Sequence, residues 1–122
     1  MKRIALGIGL IVVLVSLCGL AGAAGQQSVT PEAPAALRLS IAPNGFKLSW
    51  QPSPEDPGVV RGYEIVRSDL ASGPFTRVAT VDRGIFEYID TTASREIIYY
   101  YKVRAVAGTV YSPYSNTVTG ER

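Results

Sequence analysis

The run Tyr99-Tyr100-Tyr101-Lys102-Val103-Arg104-Ala105-Val106 constrains this chain more than any other segment. Side chains alternate across a β-strand, so Tyr99, Tyr101, Val103 and Ala105 share one face, and Tyr100, Lys102, Arg104 and Val106 the other. The first set is apolar enough to line a core and the second is half charged. A strand with one wet face belongs to an antiparallel sheet. Shorter runs of the same kind precede it. Leu37, Leu39 and Ile41 alternate, and Pro43-Asn44-Gly45 turns the chain into Phe46, Leu48 and Trp50. Tyr63, Ile65 and Arg67 share a face, and Ser72-Gly73-Pro74 ends that run. Phe75–Val81, Phe86–Ile89, about 98–107 and Tyr114–Thr119 supply the remaining strands. Seven short strands, turn residues between them and no helix of useful length predict an all-β sandwich.

The N-terminus reads as a targeting segment. Lys2 and Arg3 precede an apolar run from Ile4 to Leu20, and Ala21-Gly22-Ala23-Ala24-Gly25 offers small residues for a signal peptidase. Residues 1–24 are therefore expected to be a cleaved signal peptide, with an uncleaved membrane anchor as the alternative. The whole chain has 12 basic and 10 acidic residues; without Lys2 and Arg3 the count is 10 against 10. A near-neutral domain has no electrostatic footprint for nucleic acid. Membrane contact is expected only through the N-terminal segment, if it stays uncleaved. Cys18 is the one cysteine and lies in that segment, so the remaining domain has no disulfide although export permits one. Residues 25–35, with Pro31 and Pro34 among small polar residues, read as a flexible linker, and 36–120 as the single folded domain.

The order of motifs resembles a fibronectin type III module. Leu48-Ser49-Trp50 is similar to that family's second-strand tryptophan, and Gly62-Tyr63-Glu64-Ile65-Val66-Arg67 to its third strand. Tyr88-Ile89-Asp90, Tyr99-x-Tyr101-Lys102-Val103-Arg104-Ala105 and Tyr114-Ser115-Asn116-Thr117-Val118 follow in the family's order. The resemblance implies a seven-stranded immunoglobulin-like β-sandwich with Trp50, Tyr63, Tyr99 and Tyr101 in structural places. It puts Tyr99 where a hydroxyl bonds back to backbone across the preceding turn. The family usually carries a leucine and then Pro-Gly in that turn. Ala93 and Arg95-Glu96 stand there instead, which implies a looser corner. The loop Gly108–Pro113 lacks Arg-Gly-Asp, so integrin binding does not carry over.

Chemistry is hard to place in this sequence. No histidine exists, and the lone cysteine leaves with the signal, which excludes the commonest nucleophilic triads and transition-metal sites. No G-x-S-x-G elbow occurs. The carboxylates, Asp90 among them, are expected as solvated surface charge, without the deep cleft that paired acid catalysis needs. No catalytic residue, metal or cofactor is therefore expected. Glu64 is expected opposite Lys102 and Arg104 on a polar sheet face. Tyr100, Tyr111 and Tyr114 are candidate binding anchors, since exposed tyrosines suit proteins and sugar rings. Pro54, Pro57 and Val59 form a second candidate group, on a loop stiffened by proline and expected at the same end as Tyr111 and Tyr114. The expected function is a non-catalytic exported binding module of the cell envelope or exterior, either secreted or periplasmic. It would recognise a protein or a polysaccharide by surface complementarity. The alternative is a membrane-anchored structural spacer without a specific ligand.

Overall fold

The computed structural model describes residues 29–122. The expected signal segment, Cys18 and the first part of the expected linker lie outside these residues. Eight strands follow in order: β1 (Ala35–Ala42), β2 (Gly45–Gln51), β3 (Gly62–Ser68), β4 (Thr76–Asp82), β5 (Glu87–Asp90), β6 (Tyr99–Ala107), β7 (Val110–Tyr111) and β8 (Val118–Gly120). One sheet has the order β1-β2-β5. The other runs β4-β3-β6-β7, with β8 also paired to β6. Every pairing is antiparallel.

The core lies between the two sheets, where the alternation placed it. Phe46, Leu48 and Trp50 of β2 meet Tyr63 and Ile65 of β3 and Tyr99, Tyr101, Val103 and Ala105 of β6. Edge-on aromatic contacts lock this layer: Phe46 and Tyr101 lie 5.9 Å apart, and Tyr63 and Phe86 6.1 Å. In β1 only Leu37 is fully buried. Leu39 packs at the margin, and Ile41 is exposed at the sandwich end despite sharing their period.

The last strand differs from expectation. Tyr114–Thr119 is not one continuous strand; regular pairing occurs only in β7 and β8. Pro113 has no N–H to give the ladder. Two serine hydroxyls stand in for backbone carbonyls across the gap. The Ala105 N–H donates to Ser112 Oγ (2.8 Å) and the Val103 N–H to Ser115 Oγ (3.0 Å). The serine N–H groups return bonds to the Ala105 and Val103 carbonyls at 2.9 and 2.7 Å. Asn116 then joins this segment to β1. Its Oδ1 accepts from the Leu37 N–H at 2.8 Å, and its Nδ2 donates to the Leu37 carbonyl at 3.0 Å.

Two further expectations need correction. Pro31 and Pro34, expected inside a flexible linker, are fully buried, and Ala35 already opens β1. Stiff apolar residues lose little conformational entropy on packing, so the folded unit starts before residue 36. The corner before Tyr99 is also closed rather than loose. The Ser94 N–H donates to the Tyr99 hydroxyl at 3.1 Å. Arg122 Nη1 donates to the Ala93 carbonyl, and the Glu96 N–H to the Arg122 carbonyl, each at 3.1 Å. Arg122 thus ties the corner down through two hydrogen bonds.

Glu96 holds that corner at φ 67°, in the left-handed region. A residue with a Cβ gives up about 1–2 kcal/mol there. Glu96→Gly should therefore stabilise the domain by about 1 kcal/mol, read as a higher urea midpoint at unchanged slope. A lower midpoint would show that the Glu96 side chain contributes more than its backbone strain.

Candidate functional site

The outer face of the larger sheet carries the most distinctive surface. β3 is buried on both sides: Glu64 and Val66, which point away from the core, are 5% and 3% exposed. An antiparallel sheet usually leaves such a face wet. Here long side chains from neighbouring segments roof it. Arg104, opposite Glu64 on β6, donates from Nε to Glu64 Oε1 at 2.6 Å. Arg77 of β4 lies 3.8 Å from the other carboxylate oxygen. The expected pairing of Glu64 with Arg104 is present, but as a sheltered ion pair. Lys102 stands opposite Val66 and not Glu64.

Aromatic rings alternate with the cations on this roof. The Arg104 guanidinium lies 3.7 Å from the Tyr111 ring centroid and 4.7 Å from that of Tyr114. The Lys102 ammonium lies 4.4 Å from Tyr114 and 4.0 Å from Phe75. The sequence of contacts is Phe75, Lys102, Tyr114, Arg104, Tyr111. Each such contact contributes about 0.5–1 kcal/mol at an exposed site, and the series together biases the rings toward these orientations. Burial pushes the Tyr114 phenol above its ordinary pKa, and Glu64 adds to this while Arg104 opposes it. Tyr111 remains 42% exposed. A ring steadied in this way and partly open to solvent loses little entropy when a flat partner lands on it.

The remaining candidates are dispersed. Tyr100 shares the outward face of β6 and is half-buried, opposite Ser68 and Thr119. It stands four residues from Arg104, about 13 Å along the strand. Pro54 and Pro57 are exposed on the loop between β2 and β3. Val59 lines an open groove of about 530 Å³ with Val29, Arg61, Gly108 and Thr109. The two loops do share one end of the sandwich. The groove is lined without Tyr111 or Tyr114, however, so proline loop and tyrosines form two surfaces rather than one.

A buried phenol also braces that loop. The Tyr63 hydroxyl accepts from the Ser53 N–H at 3.0 Å and donates to Asp56 Oδ2 at 2.8 Å. Asp56 also accepts from the Gly84 N–H at 3.2 Å. Burial raises the Tyr63 pKa, and Asp56 raises it further. Tyr63 thus joins the core to the loop, which fits its structural place.

Asp90 corrects the reading of the carboxylates as surface charge. It is wholly buried. Its Oδ2 accepts from the Tyr101 hydroxyl at 2.7 Å and from Arg67 Nη1 at 2.9 Å. Its Oδ1 accepts from the Thr92 N–H at 2.9 Å and the Thr92 hydroxyl at 2.6 Å. The Arg67 guanidinium also lies 4.6 Å from the Tyr99 ring centroid. All the acceptor capacity is used within the fold, so this cluster is structural. Sequence reasoning missed Asp90, Ser112, Ser115, Asn116 and Phe75. For Asp90 the one available signal was its spacing from Tyr101, whose hydroxyl needs a buried acceptor.

Two antiparallel sheets around one aromatic core, a tyrosine hydroxyl closing the turn before the long strand, and a roofed outer face make this a fibronectin type III-like module. Comparison with known proteins agrees. A solved fibronectin type III-like protein from Clostridium thermocellum matches with a TM-score of 0.63 and 28% identity, over 73% of this chain and 90% of that one. A β-1,2-glucanase from Parabacteroides distasonis matches with a TM-score of 0.64 and 26% identity, over 78% of this chain and 13% of the other. The amylopullulanase of Thermoanaerobacter thermohydrosulfuricus is 39% identical over 89 residues, which is 73% of this chain. The chain spans only 6% of that enzyme's length, so the likeness is to one short segment of it. No protein-family model matches the chain.

Proposed function

We propose that this module is a non-catalytic accessory unit that recognises polysaccharide, and that the chain works outside the cytoplasm, in the envelope or exterior. The observation that carries the reading is the outer-face stack, with the Tyr111 and Tyr114 rings steadied by Arg104. Sugars present flat apolar faces edged by hydroxyls, which suit fixed ring faces flanked by donors. The rings are interleaved with charges and do not merge into one apolar patch, which favours a sugar chain over an apolar protein surface. The likeness to a short segment of an amylopullulanase supports the accessory role. The basic and apolar N-terminal sequence supports export.

The test is affinity electrophoresis of the chain through native gels containing a panel of polysaccharides, pullulan included. At least one polymer should retard the chain. Tyr111→Ser/Tyr114→Ser should weaken that retardation by roughly tenfold or more, the loss expected for aromatic anchors, while Trp50 fluorescence shows the fold intact. Mobility unchanged by every polymer would sink the reading and leave the spacer in front.

A further inference from the structure

Resting on that reading, we infer that the sugar chain this face takes is anionic, a polymer carrying carboxylates on its rings. The stack holds an unbalanced charge. Arg77 and Arg104 both engage the one carboxylate, Glu64, while Lys102 stands on the same face opposite Val66. Asp82 lies two strands from Val106, at the far end of β4. Lys102 is the cation left over. Among the described residues its ammonium makes no ion pair and no hydrogen bond; its neighbours are the faces of Phe75 and Tyr114.

A lysine between two rings is held in place, yet it keeps three N–H donors that a ring face does not satisfy. A carboxylate on a sugar chain lying across the stack would meet them, because Phe75 and Tyr114 hold the ammonium in place. A charge-assisted hydrogen bond of this kind is stronger than a hydroxyl contact. Neutral glucans would use the rings and leave the donors of Lys102 to water, so the site discriminates by charge and not by ring shape.

The test uses the full chain in native gels containing polygalacturonate, the same polymer fully methyl-esterified, or pullulan. Esterification removes the charge and keeps the rings. Polygalacturonate should retard the chain roughly tenfold more strongly than either neutral polymer, the ratio expected from one charge-assisted bond. Retardation should fall as salt rises. Lys102→Met, which keeps the stem packed between the rings, should abolish the difference; Lys102→Arg should retain it. Equal retardation by the acid and its ester would overturn the anionic assignment and leave polysaccharide recognition standing. The same follows if Lys102→Met preserves the preference. If none of the polymers slows the chain, both readings fail together.

Discussion

Asp90→Asn should cost the domain about 3–5 kcal/mol, the loss expected when a buried charge keeps its place and loses its counter-charge. The amide cannot satisfy four donors. Arg67 would be left charged beside a neutral group, and one amide N–H would point at a donor already present. Such a loss is a large share of a small domain's total stability, which is about 5–15 kcal/mol. For a domain of this size it lowers Tm by roughly 15–25 °C, measured by calorimetry. Acid should act through the same group. Desolvation by burial pushes the Asp90 pKa up, but hydrogen bonds from Thr92, Tyr101 and Arg67 together outweigh it and leave the value below the ordinary 3.8. A carboxylate with a lowered folded pKa contributes its stability in full above its unfolded pKa. That contribution is lost as pH falls through the folded value. The wild-type domain should therefore lose stability as pH falls below about 4, and the Asn variant should show a flatter curve there. Parallel curves for the two proteins would mean that Asp90 is not the group being titrated.

Trp50→Ala should be comparably severe, at about 3–5 kcal/mol, because it empties a large buried volume between the sheets. Trp50 is 4% exposed and packs on Tyr63 with ring centroids 5.6 Å apart. Trp50→Phe should cost much less than Trp50→Ala. The indole Nε1 is buried without a hydrogen-bond partner, so phenylalanine sacrifices no bond and relieves an unsatisfied donor. Urea denaturation of both variants, followed by far-ultraviolet circular dichroism, separates the two effects. Equal losses would mean that the phenyl ring does not refill the space the indole leaves, so that side-chain shape and not volume decides the cost.

The difference between these residues shows what the sequence could reveal. Trp50, Tyr63, Tyr99 and Tyr101 were legible because strand period and motif order place them on an inward face without reference to their partners. The fold followed from the same period. Asp90 was illegible because its burial depends on Arg67, Thr92 and Tyr101, three donors from different segments that only the folded chain assembles. Ser112 and Ser115 looked like turn residues, yet their short hydroxyls complete a ladder that Pro113 interrupts. Of the candidate surface, Tyr111 and Tyr114 were readable as aromatic residues near the last strand. Phe75 was not readable as their companion, because it leads into β4, which reaches β6 only through β3, and Lys102 was read as a partner of Glu64 instead.

The register of β4 has a consequence for the life of the molecule in a crowded compartment. This strand ends its sheet, and the pairing with β3 slips between Ile65 and Val66, leaving Val78 unmatched between Arg77 and Ala79. A slip of that kind twists the free margin, and the exposed Arg77 beside it makes flat stacking of a second strand unfavourable. With no cysteine among the described residues, noncovalent packing alone holds the domain together. The irregular margin makes a poor template for a strand of another chain, so an apparent flaw in the sheet blunts its open edge.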